Sequence, residues 1–159
     1  MNELSPDQVA VEAVLQKFFS VVSFPPGGSP EYEKLAGLFS ADGRLIRASA
    51  EVPLDLSVSD FIVDRRRAYE SGELTSFHEA ELSADTEIFG RIAHRLSVYE
   101  KRGVLNGAEF RAQGVISAQF IQIRAAWKIS SMAWDDEREG LSIAAGLRSE
   151  HRPGRPDLA

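Results

Sequence analysis

The chain has 159 residues, 43% hydrophobic and 26% charged, which is typical of a single globular domain. Its net charge of −6 argues against nucleic acid as a partner, because phosphate binding needs a basic surface. The absence of cysteine excludes disulfides and thiolate chemistry. No apolar run approaches the roughly 18 residues of a membrane span, and the polar start MNELSPDQ lacks the features of a signal peptide. We therefore expect a cytoplasmic protein that does not enter the membrane.

The first half of the chain is predicted to hold three helices and one strand. Apolar residues recur at helical spacing from Ser5 to about Phe24, with Ser5-Pro6 as the start signal. A second, shorter helix is predicted over 29–40, and a turn at 41–43 leads into a strand over 44–48. The third helix is predicted to begin near Ser59 and to end at Gly72.

In the second half the apolar period changes from 3.6 to 2. Four long strands are predicted, over Leu74–Ala84, Ile88–Arg102, Ala108–Ile123 and Ala126–Asp136. Their short connections favour an antiparallel meander, and helices followed by strands indicate an α+β fold. We expect a single domain over residues 1–138 and a C-terminal tail over residues 139–159.

Three short motifs occur in a suggestive order: Phe77-His78-Glu79, the stretch from Phe89-Gly90 to Tyr99-Glu100, and that from Trp127-Lys128-Ile129 to Trp134-Asp135. Over residues 8–138 the chain resembles the nuclear-transport-factor-2-like (NTF2-like) superfamily, and within it the SnoaL-like subgroup of small bacterial proteins. The resemblance implies helices packed on a strongly curved, mainly antiparallel sheet of cystatin-like topology. It also implies a cone with an internal pocket, and frequently a homodimer.

Two histidines are predicted to face one another. If Asp85-Thr86-Glu87 is the loop between the first two long strands, His78 lies opposite His94 on a largely apolar face. Glu79, Glu81, Arg91 and Arg95 then occupy the other face, with Glu81 directly opposite Arg91. Imidazole exchanges protons near neutral pH, so the histidine pair suggests an acid/base site. Burial of each histidine in the core or at a dimer interface is the alternative.

Scytalone dehydratase, a member of the superfamily, uses pocket histidines together with tyrosine and aspartate. The resemblance therefore suggests His78 as the principal acid/base, with His94 and Tyr32 beside it. Steroid isomerases of the superfamily place an aspartate at the end of the early strand, where this chain has no carboxylate. Asp135 is then the best candidate for the acid/base carboxylate that a SnoaL-type cyclase requires.

The last hairpin supplies further candidates. Trp127 and Trp134 are seven positions apart and face opposite sides in an unbroken strand. We predict that Trp134 forms a pocket wall and that Gln119 contributes a polar group to the ligand site, although a core position is equally open for either tryptophan.

Two other clusters have simpler interpretations. The run Arg65-Arg66-Arg67 is either an anion-binding patch or, more in keeping with its acidic neighbours, a solvated helix face. Asp135-Asp136-Glu137 is better explained as a solvated strand end than as a metal site, since adjacent strand residues point to opposite faces. No metal site and no cofactor are predicted.

Two functional hypotheses follow. The first is a cofactor-independent isomerase, cyclase or dehydratase that acts on a small, mostly apolar carbonyl or polyketide-like compound. The second is a non-catalytic module of the same shape that binds a ligand or dimerises. Because one fold supports many functions, the sequence leaves both open.

Overall fold

The first helix begins where the sequence signals it. The computed structural model describes residues 3–147, and in it helix α1 spans Pro6–Val22. Ser5 caps the helix, since its Oγ accepts from the Gln8 N–H at 3.2 Å while the Gln8 side chain accepts from the Ser5 N–H at 2.7 Å. This reciprocal capping box satisfies backbone donors that the helix itself leaves unpaired.

The other helices differ in detail from their predictions. The second is a 3-10 helix, Tyr32–Leu38. Helix α2 spans Val58–Glu70 and is capped by Ser57, whose Oγ accepts from the Asp60 N–H at 3.1 Å. The predicted start near Ser59 is therefore one residue late. A short helix α3, Ile143–Gly146, lies within the predicted tail.

Six strands form one curled sheet. They are β1 (Phe39–Arg47), β2 (Leu54–Ser57), β3 (Leu74–Phe89), β4 (Ile92–Leu105), β5 (Ala108–Ile123) and β6 (Ala126–Asp136). Their order is β2-β1-β6-β5-β4-β3, and every pair is antiparallel except β1 with β6. The predicted α+β class is confirmed, and the limits of β5 and β6 agree with the prediction. Strand β2 was not predicted.

The predicted register between β3 and β4 is wrong. The two strands turn at Gly90-Arg91 rather than at residues 85–87, because Gly90 adopts the left-handed backbone, φ +56°, that a tight hairpin turn requires. His78 consequently lies opposite Arg102, and His94 opposite Glu87.

The change of register reverses the expected faces. Glu79 and Glu81 lie on the inner face, towards the helices, and His78 and His94 on the outer one. The predicted partner of Glu81 was Arg91. In the structure Glu81 instead accepts from Arg95 at 2.5 and 3.1 Å and from the Ser97 hydroxyl at 2.7 Å. Both charged side chains are only 8% exposed, so the pair is held within the core.

A β-bulge in β6 changes the positions of the two tryptophans. Gln119 pairs with Ser131 and Phe120 with Ile129, which leaves Ser130 as an extra residue in β6. The extra residue shifts the alternation by one position, so Trp127 and Trp134 both point to the inner face. Their predicted placement on opposite faces is therefore wrong.

The hydrophobic core fills the space between the helices and the inner face of the sheet. Its fully buried members come from α1, the 3-10 helix and the four central strands; they include Val11, Leu15, Leu35, Leu45, Tyr99, Ile116, Phe120, Ile129 and Met132. The Nε1–H of Trp127 donates to Asp7 at 3.0 Å and joins β6 to the start of α1.

The predicted tail is described only as far as residue 147. Its first part contains the β-bridge Arg138–Leu141 and helix α3, and the remainder lies outside the described residues. The division of the chain at residue 138 stays a prediction. Over residues 3–147, no helix combines the length and the apolar character needed to cross a membrane.

Candidate functional site: an interior cavity with a free carboxylate

A small cavity lies between the helices and the inner face of the sheet. Measured as the space open to the centre of a water molecule, its volume is about 20 Å³, which is room for about one water. Its lining comprises Phe18, Val22, Tyr32, Phe61, Arg65, Phe77, Glu79, Lys101, Ile116, Met132 and Trp134. Charged groups among so many apolar side chains make this cavity the chemically distinctive place in the described chain.

Glu79 presents a carboxylate to this cavity. Two hydrogen bonds hold the backbone of Glu79, on the edge strand β3, against the end of α1. The Glu79 N–H donates to Ser23 Oγ at 3.0 Å, and the Ser23 hydroxyl donates to the Phe19 carbonyl at 2.7 Å. Two further backbone bonds, Phe24 N–H to Phe77 O at 2.7 Å and Phe77 N–H to Phe24 O at 3.1 Å, fasten the same edge to the segment after α1. The side chain of Glu79 is thus aimed by its backbone.

Within residues 3–147, the Glu79 carboxylate forms no hydrogen bond and no ion pair. Burial raises the pKa of this carboxyl group to about 7, because protein atoms replace the water that would solvate its charge. The charges of Lys101 and Arg65 oppose this rise, and that of Asp136 adds to it. Glu79 is therefore divided between its two protonation states near neutral pH.

A second carboxylate, Asp136, is fully engaged next to the cavity. The Tyr99 hydroxyl donates a short hydrogen bond to Asp136 Oδ1, and Lys101 Nζ donates to Oδ2 at 2.8 Å. Burial, and then the bond to Asp136, raise the pKa of the Tyr99 hydroxyl far above its ordinary value. Lys101 is directly opposite Glu79 across β3 and β4, so its bond to Asp136 fixes a positive charge near the free carboxylate.

Two further polar groups face the cavity. The Arg65 guanidinium lies over the rings of Phe61 and Phe77, 5.2 and 5.6 Å from their centres, an arrangement that favours a cation. The Tyr32 side chain is 2% exposed, and burial raises the pKa of its hydroxyl. Trp134 closes one side and meets Phe61 edge to face at 6.3 Å.

The structure brings together some of the predicted site residues and separates others. Tyr32 and Trp134 line the cavity. His94 and Gln119 pair on the outer face, where the His94 ring lies 2.9 Å from the Ser117 hydroxyl. Asp135 also lies on the outer face, bonded to Arg138 at 2.5 Å. Its neighbour Asp136 is the residue that points inward.

His78 lies in a different place from the cavity. It is exposed and borders an open groove of about 830 Å³ at the end of the sheet. The groove is much larger than the cavity, yet the half-buried Glu79 carboxylate, which has no bonded partner within residues 3–147, borders the cavity. Phe77, the residue before His78, is the one side chain that borders both spaces within the described chain.

Sequence reasoning missed Glu79, Lys101, Asp136 and Arg65. The wrong register placed Glu79 on the solvent face of β3. Arg65 was grouped with Arg66 and Arg67 as part of one solvated helix face. Arg66 and Arg67 do form a solvated face, with ion pairs of 3.7–3.9 Å to surrounding acids. A usable signal for Glu79 was its spacing from Phe77. Residues two apart in a strand share a face, so an inward-facing Phe77 places Glu79 and Glu81 on the inner face as well.

The arrangement is suited to moving a proton. A carboxyl group with a pKa near 7 can accept or release a proton at neutral pH, and the nearby Arg65, Lys101 and Tyr32 can stabilise a developing negative charge. Over residues 3–147, no group of three or more histidine or acidic side chains is placed to hold a metal ion.

Comparisons with known proteins identify the fold. No family model and no curated protein sequence matches the chain. Solved structures do match it. An NTF2-like protein of unknown function from Prochlorococcus marinus superposes with a TM-score of 0.65 at 17% identity, covering 85% of this chain and 95% of that one. The protein therefore has the NTF2-like fold.

Two other similar structures are named as enzymes. Hexachlorocyclohexane dehydrochlorinase LinA-type3 from Novosphingobium barchaimii has a TM-score of 0.68 at 10% identity, covering 83% of this chain and 87% of its own. A protein assigned as a scytalone dehydratase from Novosphingobium aromaticivorans has a TM-score of 0.66 at 10% identity, covering 83% and 85% respectively. At this identity the likeness concerns the fold alone.

Proposed function

We propose that the protein is a cofactor-independent enzyme that transfers a proton next to the carbonyl group of a small, mostly apolar compound, and so isomerises, cyclises or dehydrates it. The observation that carries the proposal is the Glu79 carboxylate, which has no partner in residues 3–147 and faces the cavity beside two cations. Glu79 is half-buried, and partial burial of a carboxylate without a partner still costs stability, which favours a role in binding or catalysis.

In the proposed reaction ionised Glu79 removes a proton from the carbon beside the carbonyl. The electron pair of the broken C–H bond forms a C=C bond, and the carbonyl π electrons move to oxygen, where Arg65 and Tyr32 stabilise the enolate. Protonated Glu79 then returns the proton to another carbon, which completes an isomerisation. In a dehydration it gives the proton to a β-hydroxyl, which leaves as water while the enolate electrons restore the carbonyl.

The named structural neighbours support this class of chemistry. The names dehydrochlorinase and dehydratase denote removal of hydrogen chloride and of water, and both reactions begin or end with proton transfer at carbon. A substrate larger than water enters the cavity only when a lining side chain moves, since the cavity has room for about one water.

The test is the exchange of α-protons for deuterium in 2-tetralone and in 4-hydroxy-2-butanone, followed by proton NMR. We expect the wild-type protein to accelerate exchange, and Glu79→Gln to lower the catalysed rate by about 100-fold or more, the usual contribution of a positioned base. The rate should rise as the pH increases through about 7, where Glu79 ionises. Glu70→Gln, at the exposed end of α2, is the matched control and should leave the rate unchanged.

Two results would contradict the proposal. One is exchange that is no faster with wild type than with Glu79→Gln. The other is a rate that falls in His78→Ala but not in Glu79→Gln, which would support the histidine mechanism that the sequence suggested.

A second candidate is a non-catalytic dimerisation module. It is favoured by the cavity's small volume and by the outer face of the sheet, which carries the half-buried Leu96, Val98, Val115 and Ala133. Val98 and Val115 are directly opposite one another on β4 and β5. The helices α1 and α2 pack on the other face, so this apolar strip is available to a second copy of the chain.

A further inference from the structure

The cavity is lined by a carboxylate and a lysine that could pair with one another and do not. The register places Glu79 on β3 directly opposite Lys101 on β4, and both line the cavity on the inner face. In an antiparallel sheet the Cβ atoms of directly opposite residues are about 5 Å apart, and opposite charges at such positions attract one another. An ion pair between Glu79 and Lys101 is therefore the expected arrangement, yet residues 3–147 contain no such pair.

Lys101 pairs with Asp136 on β6 instead. Its Nζ donates to Asp136 Oδ2 at 2.8 Å, and the two side chains are only 19% and 21% exposed. Water and salt screen such a pair less than a pair on the surface, so Asp136 competes strongly for the ammonium group. The Tyr99 hydroxyl donates to the other oxygen, Oδ1, and thereby holds the Asp136 carboxylate in one orientation.

The strand between Lys101 and Asp136 leaves room for this contact. On β5 the residue opposite Lys101 is Ala112, and the residue opposite both Tyr99 and Asp136 is Gly114. Side chains this small do not obstruct the inner face between β4 and β6. Lys101 therefore reaches across β5 to an acid two strands away, although another acid is directly opposite it on β3.

We propose that Asp136 is a positioning residue that keeps Lys101 away from Glu79 and so leaves the Glu79 carboxylate free to accept a proton. Asp136 acts through Lys101, since both of its oxygens are already bonded to protein groups. The inference deepens the proposed function and rests on it for turnover. The choice that Lys101 makes between two carboxylates does not depend on any reaction.

Loss of the Asp136 charge changes the surroundings of Glu79. The titratable groups that face Glu79 from the elements around it are Arg65 of α2, Tyr32 of the 3-10 helix, Lys101 and Tyr99 of β4, and Asp136 of β6, while α1 contributes the apolar Phe18 and Val22. In Asp136→Asn the released Lys101 is free to pair with Glu79. Its positive charge, and removal of the repulsion from Asp136, both favour the ionised carboxylate and lower the pKa of Glu79 from about 7.

The test is an NMR titration of the Glu79 carboxyl carbon, assigned by its absence in Glu79→Gln. We expect Asp136→Asn to move the titration midpoint from about 7 towards the ordinary value of 4.5. In a Lys101→Met background the same substitution should move the midpoint much less, because only the direct repulsion from Asp136 is then removed. Asp135→Asn, which removes the same charge one position away on the outer face, is the matched control and should leave the midpoint unchanged.

Tyr99→Phe provides a second variant that removes no charge. It takes away the hydroxyl that orients Asp136 and should lower the Glu79 midpoint in the same direction, by less than Asp136→Asn does. If Asp136→Asn does not fold, Tyr99→Phe takes its place in both backgrounds.

The outcomes separate this inference from the proposed function. Equal movement of the midpoint with and without Lys101 would overturn the positioning role, since Asp136 would then act on Glu79 directly. An unchanged midpoint in the folded variants would also overturn it. In the 2-tetralone assay at about pH 8, Asp136→Asn should lower the catalysed exchange rate about tenfold, because the paired carboxylate is a weaker base. If wild type shows no exchange, the proposed function fails, while the titration still decides whether Asp136 positions Lys101.

Discussion

At the scale of single residues, Glu79 links the stability of the fold to pH. Its pKa in the folded protein, about 7, lies above its ordinary value of 4.5, so the folded chain holds this proton more tightly than the unfolded chain does. The resulting stabilisation is fully present below about pH 4.5 and is lost as the pH rises through 7. Over the whole range it amounts to about 3 kcal/mol, since one pKa unit corresponds to about 1.4 kcal/mol.

Glu79→Gln should remove this dependence, because an amide does not ionise. We expect the free energy of unfolding of the wild type to fall by about 2–3 kcal/mol more than that of Glu79→Gln between pH 5 and pH 8. Urea titrations of both proteins at the two pH values measure the difference. Glu70→Gln should follow the wild type. If the free energy of unfolding changed equally in wild type and Glu79→Gln between the two pH values, ionisation of Glu79 would have no cost in the folded protein.

At the scale of elements, a glycine lets two strands and a tyrosine meet. Gly114 on β5 lies opposite Tyr99 on β4 and Asp136 on β6. A Cβ at this position would collide with the Tyr99 hydroxyl and the Asp135 carbonyl. Crossing of the Tyr99 side chain over Gly114 is what allows its hydroxyl to reach Asp136.

Gly114→Ala should therefore destabilise the protein by about 1–3 kcal/mol, the usual cost of overpacking a core, and displace Tyr99 from Asp136. Urea unfolding measures the loss of stability. The catalysed rate of α-proton exchange in 2-tetralone measures the effect of displacing Tyr99. Gly37→Ala, where a Cβ meets no atom within 4 Å, is the matched control and should be close to neutral. A fully stable Gly114→Ala protein would mean that β5 and β6 separate easily at this point.

At the scale of the whole molecule, the outer face of the sheet predicts association. If the strip around Val98 and Val115 is covered by a second copy, light scattering after size-exclusion chromatography should give twice the 17.5 kDa mass of the chain. Val98→Lys should then yield monomers, because it places a charge in an apolar contact. Val63→Lys, at a position 67% exposed on α2, should leave the mass unchanged. A wild-type monomer would contradict the prediction.

The class of the fold and most of its elements could be predicted from the amino-acid sequence. Local signals were enough for this, because capping at Ser5, the glycine and proline breaks and the change of apolar period act over a few residues. The limits of β5 and β6 followed from the same alternation. Tyr32 and Trp134 were also selected from sequence, and both line the cavity, although their roles as ligand contacts stay predictions.

Which residues face the cavity depends on strand pairing between distant parts of the chain, and the sequence did not reveal it. The side-chain period of a strand is two, so an error in a turn or an unrecognised bulge reverses a whole face. The turn at Gly90 moved Glu79 inward and His78 outward, and the extra residue Ser130 brought both tryptophans to one side. The raised pKa of Glu79 has the same origin, since it depends on burial among side chains that the fold brings together around the cavity rather than on any neighbour in the sequence.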